Sequence, residues 1–373
     1  MRLSKTIAKL NRTRAALRMP AAQADGGRLG ELEAFDNPGN LRGFQYVPGT
    51  LKAPAALVVV LHGCTQSAAG YDRGSGWSGL AERHGFALLF PEQQRANNAN
   101  LCFNWFESGD TARGRGEAAS IAAMVERMRV LHGLDPARIF VTGLSAGGAM
   151  ASVMLATYPE TFAAGAIIAG LPFGCAANLA QAFGCMGGHD SVDPVRLGDR
   201  VRRASSHKGP WPRVSVWHGG ADQMVDPGNA DAIVAQWRNL HDLPETPTAT
   251  DSVEGYPHSV WSAGGGVPLV ELYTIAGMAH GTPLAPGTGD GRSGEAGPHM
   301  LDAAISSTDR IAAFFGVAPA AKAIAAPPTT AVEAGATAPR KRAAPRTRTA
   351  QPPPVGGAHK IIEDALRAAG LMR

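Results

Sequence analysis

Long apolar runs and clustered cysteines are both missing from this chain of 373 residues. The strongest apolar run, Ala55 to Leu61, is far shorter than the roughly 20 residues that a membrane-spanning helix needs, so no transmembrane segment is expected. The four cysteines include no Cys-x-x-Cys pair and have no tight group of histidines beside them, which argues against a metal site. Their even number permits two disulfides and equally permits four buried thiols.

Acidic residues are absent from the first 20 positions, which carry six basic side chains. The segments 317–357 and 358–373 have net charges of +5 and +1. Subtracting these three contributions from the total of +4 leaves −8 for residues 21–316. The basic character therefore belongs to the ends, and the central part gives no reason to expect a nucleic-acid partner.

The composition divides the chain into four parts. Residues 1–20 place apolar side chains at helical spacing between basic ones, which predicts a basic amphipathic segment. Residues 21–316 are long and apolar enough for one catalytic domain. Residues 317–357 are rich in Ala, Pro and Thr with scattered Arg, which predicts a disordered linker. Residues 358–373 are expected to form a short helix.

Short β-branched segments alternate with helical ones across the central part of the chain. This order predicts an α/β fold with a doubly wound, mostly parallel sheet and helices on both faces. The predicted strands are Ala56 to Leu61, Ala87 to Phe90, Arg138 to Thr142, Ala164 to Ala169, Val214 to His218 and Val270 to Ile275. The predicted helices are Ser78 to His84, Gly116 to Val130, Gly147 to Tyr158 and Asn229 to Asn239.

A Gly-x-Ser-x-Gly motif lies between a predicted strand and a predicted helix. In Gly143-Leu-Ser-Ala-Gly147 the β-branched run 138–142 leads straight into the motif and small residues follow it. This is the context of a nucleophile elbow, in which a strained turn exposes the serine at the end of a strand. Ser145 is therefore the predicted nucleophile of a hydrolase with the α/β-hydrolase fold.

A serine hydroxyl needs a histidine base, which in turn needs a carboxylate to orient it. In this fold the carboxylate and the histidine follow the serine in that order, each in a loop after a strand. Asp222 follows the strand 214–218 and is preferred over Asp226 and Asp190. His280 follows the strand 270–275 between two glycines, and it is preferred as the base over His258, with His241 and His299 expected at the surface.

The oxyanion of an acyl-transfer intermediate needs backbone N–H donors. The N–H of Ala146, directly after the nucleophile, is one candidate. The loop after the strand 56–61 is expected to supply the second, through the N–H of Cys64. His62 in the same loop is interpreted as a brace of the turn and not as a metal ligand.

Six motifs in this order resemble the polyhydroxybutyrate (PHB) depolymerase family of esterases, to which feruloyl and acetylxylan esterases are related. They are His62-Gly-Cys-Thr-Gln66, Cys102-Phe-Asn-Trp-Phe106, Arg115-Gly-Glu-Ala-Ala-Ser-Ile121, Gly143-Leu-Ser-Ala-Gly-Gly148, Trp217-His-Gly with Asp222, and Gly277-Met-Ala-His280. The resemblance implies hydrolysis of short-chain hydroxyalkanoate esters or oligomers, with a polymer surface as an alternative substrate. It implies neither a metal nor an organic cofactor.

The resemblance also implies disulfides between Cys64 and Cys102 and between Cys175 and Cys185. It makes Trp105 a candidate for the acyl pocket, with a role as a core aromatic equally open. The resemblance favours an extracellular or periplasmic location. A cytoplasmic one is the alternative because the N-terminus lacks the apolar core of a secretory signal.

Two other functions remain open at this point. One is a feruloyl or acetylxylan esterase, which would use the same catalytic residues. The other is a non-catalytic binding protein that attaches to granules or surfaces through its basic ends. The sequence leaves the oligomeric state undecided.

Overall fold

A computed structural model describes residues 28–188, 193–264, 266–287 and 289–320. The predicted N-terminal segment 1–20 and C-terminal segment 358–373 lie outside the described residues. The predicted linker also lies outside them except for residues 317–320. Of these, Val317 is buried against the core, and its N–H is bonded to the carbonyl of Ala312.

The described chain contains twelve strands, and each predicted strand is found within a residue or two of its expected bounds. They are β1 Gly30–Leu32, β2 Arg42–Tyr46, β3 Leu57–Leu61, β4 Ala87–Glu92, β5 Ile139–Leu144, β6 Ala164–Ile168, β7 Arg213–Gly219, β8 Ala249–Val253, β9 Tyr256–Ser262, β10 Pro268–Ile275, β11 Thr282–Leu284 and β12 Met300–Asp302.

Nine helices are found in the same described residues, and the four that the sequence predicts are among them. They are α1 Ala68–Ser75, α2 Trp77–His84, α3 Ser108–Thr111, α4 Gly116–His132, α5 Ala146–Thr157, α6 Leu179–Met186, α7 Pro194–Ala204, α8 Gly228–His241 and α9 Ser307–Phe315.

Ten strands form one sheet in the order β1-β2-β4-β3-β5-β6-β7-β10-β9-β8. In the sheet order, the six central strands β4, β3, β5, β6, β7 and β10 are parallel to one another, as predicted. Each of the outer strands β1, β2, β8 and β9 pairs antiparallel with its neighbours. These four outer strands are not among the predicted ones. Strand β8 explains why, because most of its side chains are exposed and carry no apolar alternation.

The core lies on both faces of the sheet. Strand β3 is buried throughout, and its side chains alternate between the two faces. One face packs against α4, α5 and α8, and the other against α1, α2 and α9. Because the six central strands are parallel, their carboxyl ends meet at one edge, where ligands bind in sheets of this kind.

None of the helices within the described residues is long and apolar enough to cross a membrane.

Candidate active site

Ser145 occupies a strained turn between β5 and α5. Its backbone angles are φ 57° and ψ −119°, outside the common regions for a residue with a side chain. The turn is held in place because the N–H of Ser145 donates to the carbonyl of Ile168 at 2.9 Å. Ser145 stays partly exposed, although the residues on both sides of it are buried.

Two glycines allow this turn to form. A side chain at Gly143 would lie 2.3 Å from the carbonyl oxygen of Gly147. A side chain at Gly147 would lie 2.4 Å from the carbonyl oxygen of Leu61. Since no real Cβ approaches backbone atoms so closely, both positions require glycine, and the Gly-x-Ser-x-Gly spacing follows from packing between β3, β5 and α5.

Asp222 and His280 are brought together at the same edge of the sheet as Ser145. The backbone pairing runs in line from Leu144 through Ile168 to Trp217, so the loops after β5 and β7 begin at the same level. The Nδ1 atom of His280 is 2.7 Å from Oδ2 of Asp222, and both residues are buried.

The carboxylate of Asp222 accepts hydrogen bonds on both oxygens. Its Oδ1 accepts from the N–H groups of Met224 at 2.8 Å and Val225 at 3.0 Å. Burial by itself would raise the pKa of Asp222, but bonds from His218, His280 and Val225 outweigh it and hold that pKa below its ordinary value. The side chain is therefore an anion at neutral pH.

The alternative candidates for the carboxylate and the histidine base bond to other groups or lie outside the described residues. Asp226 accepts from the N–H of Gly228 at the start of α8. His258 lies in β9 and bonds to Asp251 and Glu271. Asp190 lies outside the described residues.

The loop after β3 provides the proposed oxyanion donor. Gly63 donates its N–H to the side chain of Gln66, and Thr65 donates to the carbonyl of Asn100 at 2.7 Å. Gln66 donates to the carbonyl of Gly63, so among the described residues the N–H groups on both sides of Cys64 are engaged within the protein, whereas no partner is found for the N–H of Cys64 itself. The N–H of Ala146 belongs to the first turn of α5, where backbone donors lack partners within the helix.

A disulfide between Cys64 and Cys102 ties this loop to the segment that contains Trp105. The expected bond is therefore present in the structure. Trp105 is 9% exposed, packs in the same core cluster as Ala146 and meets Phe106 edge to face. This position is compatible with both of the roles that the sequence left open for Trp105.

The second expected disulfide is not formed. Cys175 and Cys185 are present as thiols, and the neighbouring Cys185 side chain, together with burial, raises the pKa of Cys175. The two sulfurs are thus adjacent but not covalently joined, which corrects the pairing that the family resemblance implied.

Buried polar side chains support the loop after β3 on its protein-facing side. His62 donates from Nδ1 to the carbonyl of Gly63 at 2.7 Å and accepts at Nε2 from the N–H of Gln93. Burial lowers the pKa of His62 to about 4, so its ring is neutral. Glu117 accepts from the side chain of Gln93 and from the N–H of Asn104, and burial raises its pKa to about 8.

Two histidines that the sequence analysis did not assign to the site contact its members. His218 lies at the end of β7, 3.4 Å from Oδ2 of Asp222. His299, which was expected at the surface, is partly buried and bonds through Nδ1 to the carbonyl of His280 at 3.0 Å. The Trp217-His218-Gly219 motif indicated His218, whereas no local pattern indicated His299.

A groove of roughly 540 Å³ lies between the loop after β3 and the segment that precedes β12. Thr65, Gln66 and His299 line it, together with Arg73 and Ala296. It therefore has one wall next to the proposed oxyanion donor and another next to His280. Among the described residues no cluster of three or more His, Cys, Asp or Glu side chains could hold a metal ion.

The chain matches known esterases. The family model described as "Esterase PHB depolymerase" matches residues 43–255. A poly(3-hydroxyalkanoate) depolymerase C of Paucimonas lemoignei is 50% identical over 282 residues, which are 75% of this chain and 68% of the relative. An acetylxylan esterase of Coprinopsis cinerea is 35% identical over 274 residues, 71% of this chain and 72% of the relative.

The fold is also that of a solved esterase. An acetyl xylan esterase from Aspergillus awamori superimposes with a TM-score of 0.63 at 28% identity, and the alignment covers 68% of this chain and 94% of that one. The α/β-hydrolase fold predicted from the sequence is confirmed by this comparison.

Proposed function

The chain belongs to the esterase PHB depolymerase family and is a serine ester hydrolase, and on this premise we propose that Ser145, His280 and Asp222 form its catalytic triad. The single observation that carries this proposal is the 2.7 Å hydrogen bond between His280 and Asp222, formed at the edge of the sheet where the strained turn of Ser145 also lies. A buried carboxylate on Nδ1 fixes the tautomer in which Nε2 of His280 can accept a proton.

The proposed reaction proceeds through an acyl-enzyme. Nε2 of His280 takes the proton of the Ser145 hydroxyl as Oγ attacks the ester carbonyl carbon. The tetrahedral intermediate collapses, the bond to the alcohol oxygen breaks, and His280 returns the proton to that oxygen. Water, deprotonated by the same imidazole, then releases the acid and restores the serine.

The N–H groups of Cys64 and Ala146 are proposed to bind the oxyanion of both tetrahedral intermediates. Removing one such donor typically costs about 10² to 10³ in kcat. The disulfide at Cys64 and the hydrogen bonds around Thr65 and Gln66 hold the loop before substrate binds. This pre-organisation is what makes backbone donors effective.

The proposed substrates are short-chain hydroxyalkanoate esters and their oligomers. Supporting this choice, the relative with 50% identity is named as a poly(3-hydroxyalkanoate) depolymerase. The groove between Gln66 and His299 adjoins both proposed catalytic loops, so it offers room for a further unit of an oligomer. Polymer surfaces and cell-wall esters remain alternatives that an ester panel separates.

The test is turnover of p-nitrophenyl butyrate and of a 3-hydroxybutyrate trimer by the parent and by Ser145→Ala. We expect Ser145→Ala to lose at least about 10³-fold in kcat because no nucleophile remains. Ser262→Ala in β9 is the matched control and should keep the parent rate. Parent-like turnover by a folded Ser145→Ala variant would refute the triad.

The same panel, extended to feruloyl and acetylated xylan substrates, tests the substrate class. A kcat/KM that is highest for the hydroxybutyrate trimer supports the proposal. A preference for acetyl or feruloyl esters of plant polysaccharides contradicts it while leaving the triad intact.

A further inference from the structure

His218 forms a second imidazole contact to the carboxylate of the proposed triad. Its Nε2 is 3.4 Å from Oδ2 of Asp222, the same oxygen that His280 approaches at 2.7 Å. The side chain of His218 is 2% exposed and that of Asp222 is completely buried. The contact is therefore shielded from water, which makes it stronger than a surface contact of the same length.

The hydrogen-bond partners of His218 determine which nitrogen carries the proton. Nε2 is also 3.0 Å from the carbonyl oxygen of Val225, and a carbonyl oxygen can only accept. Nε2 must therefore be protonated. Its N–H donates to the carbonyl of Val225, and Oδ2 of Asp222 lies 3.4 Å from the same nitrogen. The Nδ1 atom is buried and has no hydrogen-bond partner among the described residues, so a proton there would be unsatisfied.

His218 thus touches the turn from Asp222 to Val225 at two points. The bond to the Val225 carbonyl holds the end of the turn, and the contact with Oδ2 holds the carboxylate itself. The N–H groups of Met224 and Val225 already bind Oδ1. A carboxylate has about four lone-pair sites, so these contacts leave Asp222 a single orientation, toward His280.

We propose that His218 is a positioning residue of the hydrolase, which orients Asp222 toward His280 and takes a share of the carboxylate's charge. The inference rests on the proposed triad. His218 does not touch the reacting atoms, and its effect passes through Asp222. The other ionisable groups that face it are His280, after β10, and Asp231 on α8.

Removing His218 should have two consequences. The loosened carboxylate misplaces His280, and a misplacement of about 1 Å lowers kcat by about 10²-fold with little change in KM. In a variant without His218, the negative charge of Asp222 is not shared with a second imidazole. The Asp222 carboxylate then stabilises a proton on His280 more strongly. The acidic limb of the pH profile of kcat/KM should therefore move to higher pH.

The experiment compares His218→Leu, His218→Gln and the parent with p-nitrophenyl butyrate between pH 5 and 9. Gln places an N–H donor where Nε2 of histidine lies, so His218→Gln should recover most of the lost kcat and return the acidic limb toward the parent pH. His241→Leu is the matched control, because His241, which was expected at the surface, is a partly buried histidine that bonds to a backbone carbonyl, that of Pro212. It should keep the parent kcat and profile.

A second measurement does not depend on turnover. In protein labelled with ¹⁵N-histidine, the Nδ1–H resonance of His280 is assigned by its loss in His280→Gln. We expect it to shift in His218→Leu, to return toward the parent position in His218→Gln, and to stay unchanged in His241→Leu.

The results separate the two proposals. If the parent hydrolyses the ester and Ser145→Ala does not, the triad stands, and an unchanged kcat, pH profile and Nδ1–H resonance in His218→Leu would overturn the role of His218 alone. If the parent is inactive, the triad proposal fails and the Nδ1–H resonance still decides whether His218 orients Asp222. The role of His218 would also be overturned if His218→Leu and His241→Leu lost the same factor in kcat and His218→Gln did not recover it.

Discussion

His299 binds the loop of the proposed catalytic histidine, since its Nδ1 lies 3.0 Å from the carbonyl oxygen of His280. The two rings meet nearly edge to face with centroids 5.7 Å apart, and the carbonyl of His299 accepts the N–H of Thr282 at 2.8 Å. The wall of the groove beside the site is therefore joined directly to the residue that is proposed to move the proton.

The groove should accommodate the longer substrates. Ala296 is exposed at its wall, so Ala296→Trp should fill part of the roughly 540 Å³. We expect KM for a 3-hydroxybutyrate trimer to rise about 10-fold, the cost of losing about 1.4 kcal/mol of contact. Turnover of p-nitrophenyl acetate, which has no further hydroxyalkanoate unit to occupy the groove, should stay unchanged.

Val267→Trp is the control for that substitution, because Val267 is 57% exposed between β9 and β10. It should alter neither substrate's KM. Equal effects of Ala296→Trp on the two substrates would mean that the groove does not bind the oligomer.

Asp222 and Asp226 are proposed to differ in function although they lie four positions apart. Asp222→Asn should lower kcat by about 10⁴-fold, because an amide no longer fixes the tautomer of His280. The carboxylate of Asp226 accepts the N–H of Gly228, the first residue of α8, so Asp226→Asn should keep a kcat close to the parent value. The measurement is single-substrate kinetics on folded variants, and the reverse ranking would reassign the carboxylate.

The Cys64–Cys102 disulfide should affect both stability and rate. It closes a loop with a sequence separation of 38 residues, for which chain entropy predicts a stabilisation of about 4 kcal/mol. Cys102→Ala should lower Tm, and it should also lower kcat because the loop that holds the Cys64 N–H is released. Thermal unfolding and ester turnover with and without dithiothreitol provide the measurement.

Cys175→Ala is the control for this prediction, because Cys175 is a thiol in the structure. The parent and Cys175→Ala should respond to dithiothreitol, whereas Cys102→Ala should not. A reductant effect that survives in Cys102→Ala would place the sensitive bond elsewhere.

The pair formed by His258 and Glu271 should make stability depend on pH. Burial tends to lower the pKa of His258, but Glu271 and Asp251 outweigh it and raise that pKa above the ordinary 6.5. A histidine whose pKa is raised by folding stabilises the protein fully below the unfolded value, and the contribution is lost as pH rises through the folded value.

The free energy of unfolding of the parent should therefore fall, relative to His258→Gln, as pH rises from below 6.5 through the raised pKa of His258. Urea unfolding at several pH values measures it. His241→Gln serves as the control, because burial lowers the pKa of His241 and the sign of its contribution is opposite. A difference between the parent and His258→Gln that does not vary with pH would contradict the role of the pair.

The sequence by itself determined the central strands, the main helices and the turn at Ser145. The strands and helices depend on local spacing of β-branched, small and apolar residues. The turn at Ser145 is recognisable from its local Gly-x-Ser-x-Gly pattern, although Gly147 is also required by its contact with β3. The order of Ser145, Asp222 and His280 also followed from the sequence, because in this fold each residue lies after a strand whose pattern is visible.

Only the tertiary structure decided which side chains meet. Asp222 and Asp226 have similar local surroundings, and only the packing of the loops after β7 and β10 brings Asp222 to His280. The contacts of His218 and His299, the unjoined Cys175 and Cys185 and the antiparallel outer strands likewise depend on residues distant in the chain. Local periodicity contains no information about such contacts, because they arise from the way the whole sheet is assembled.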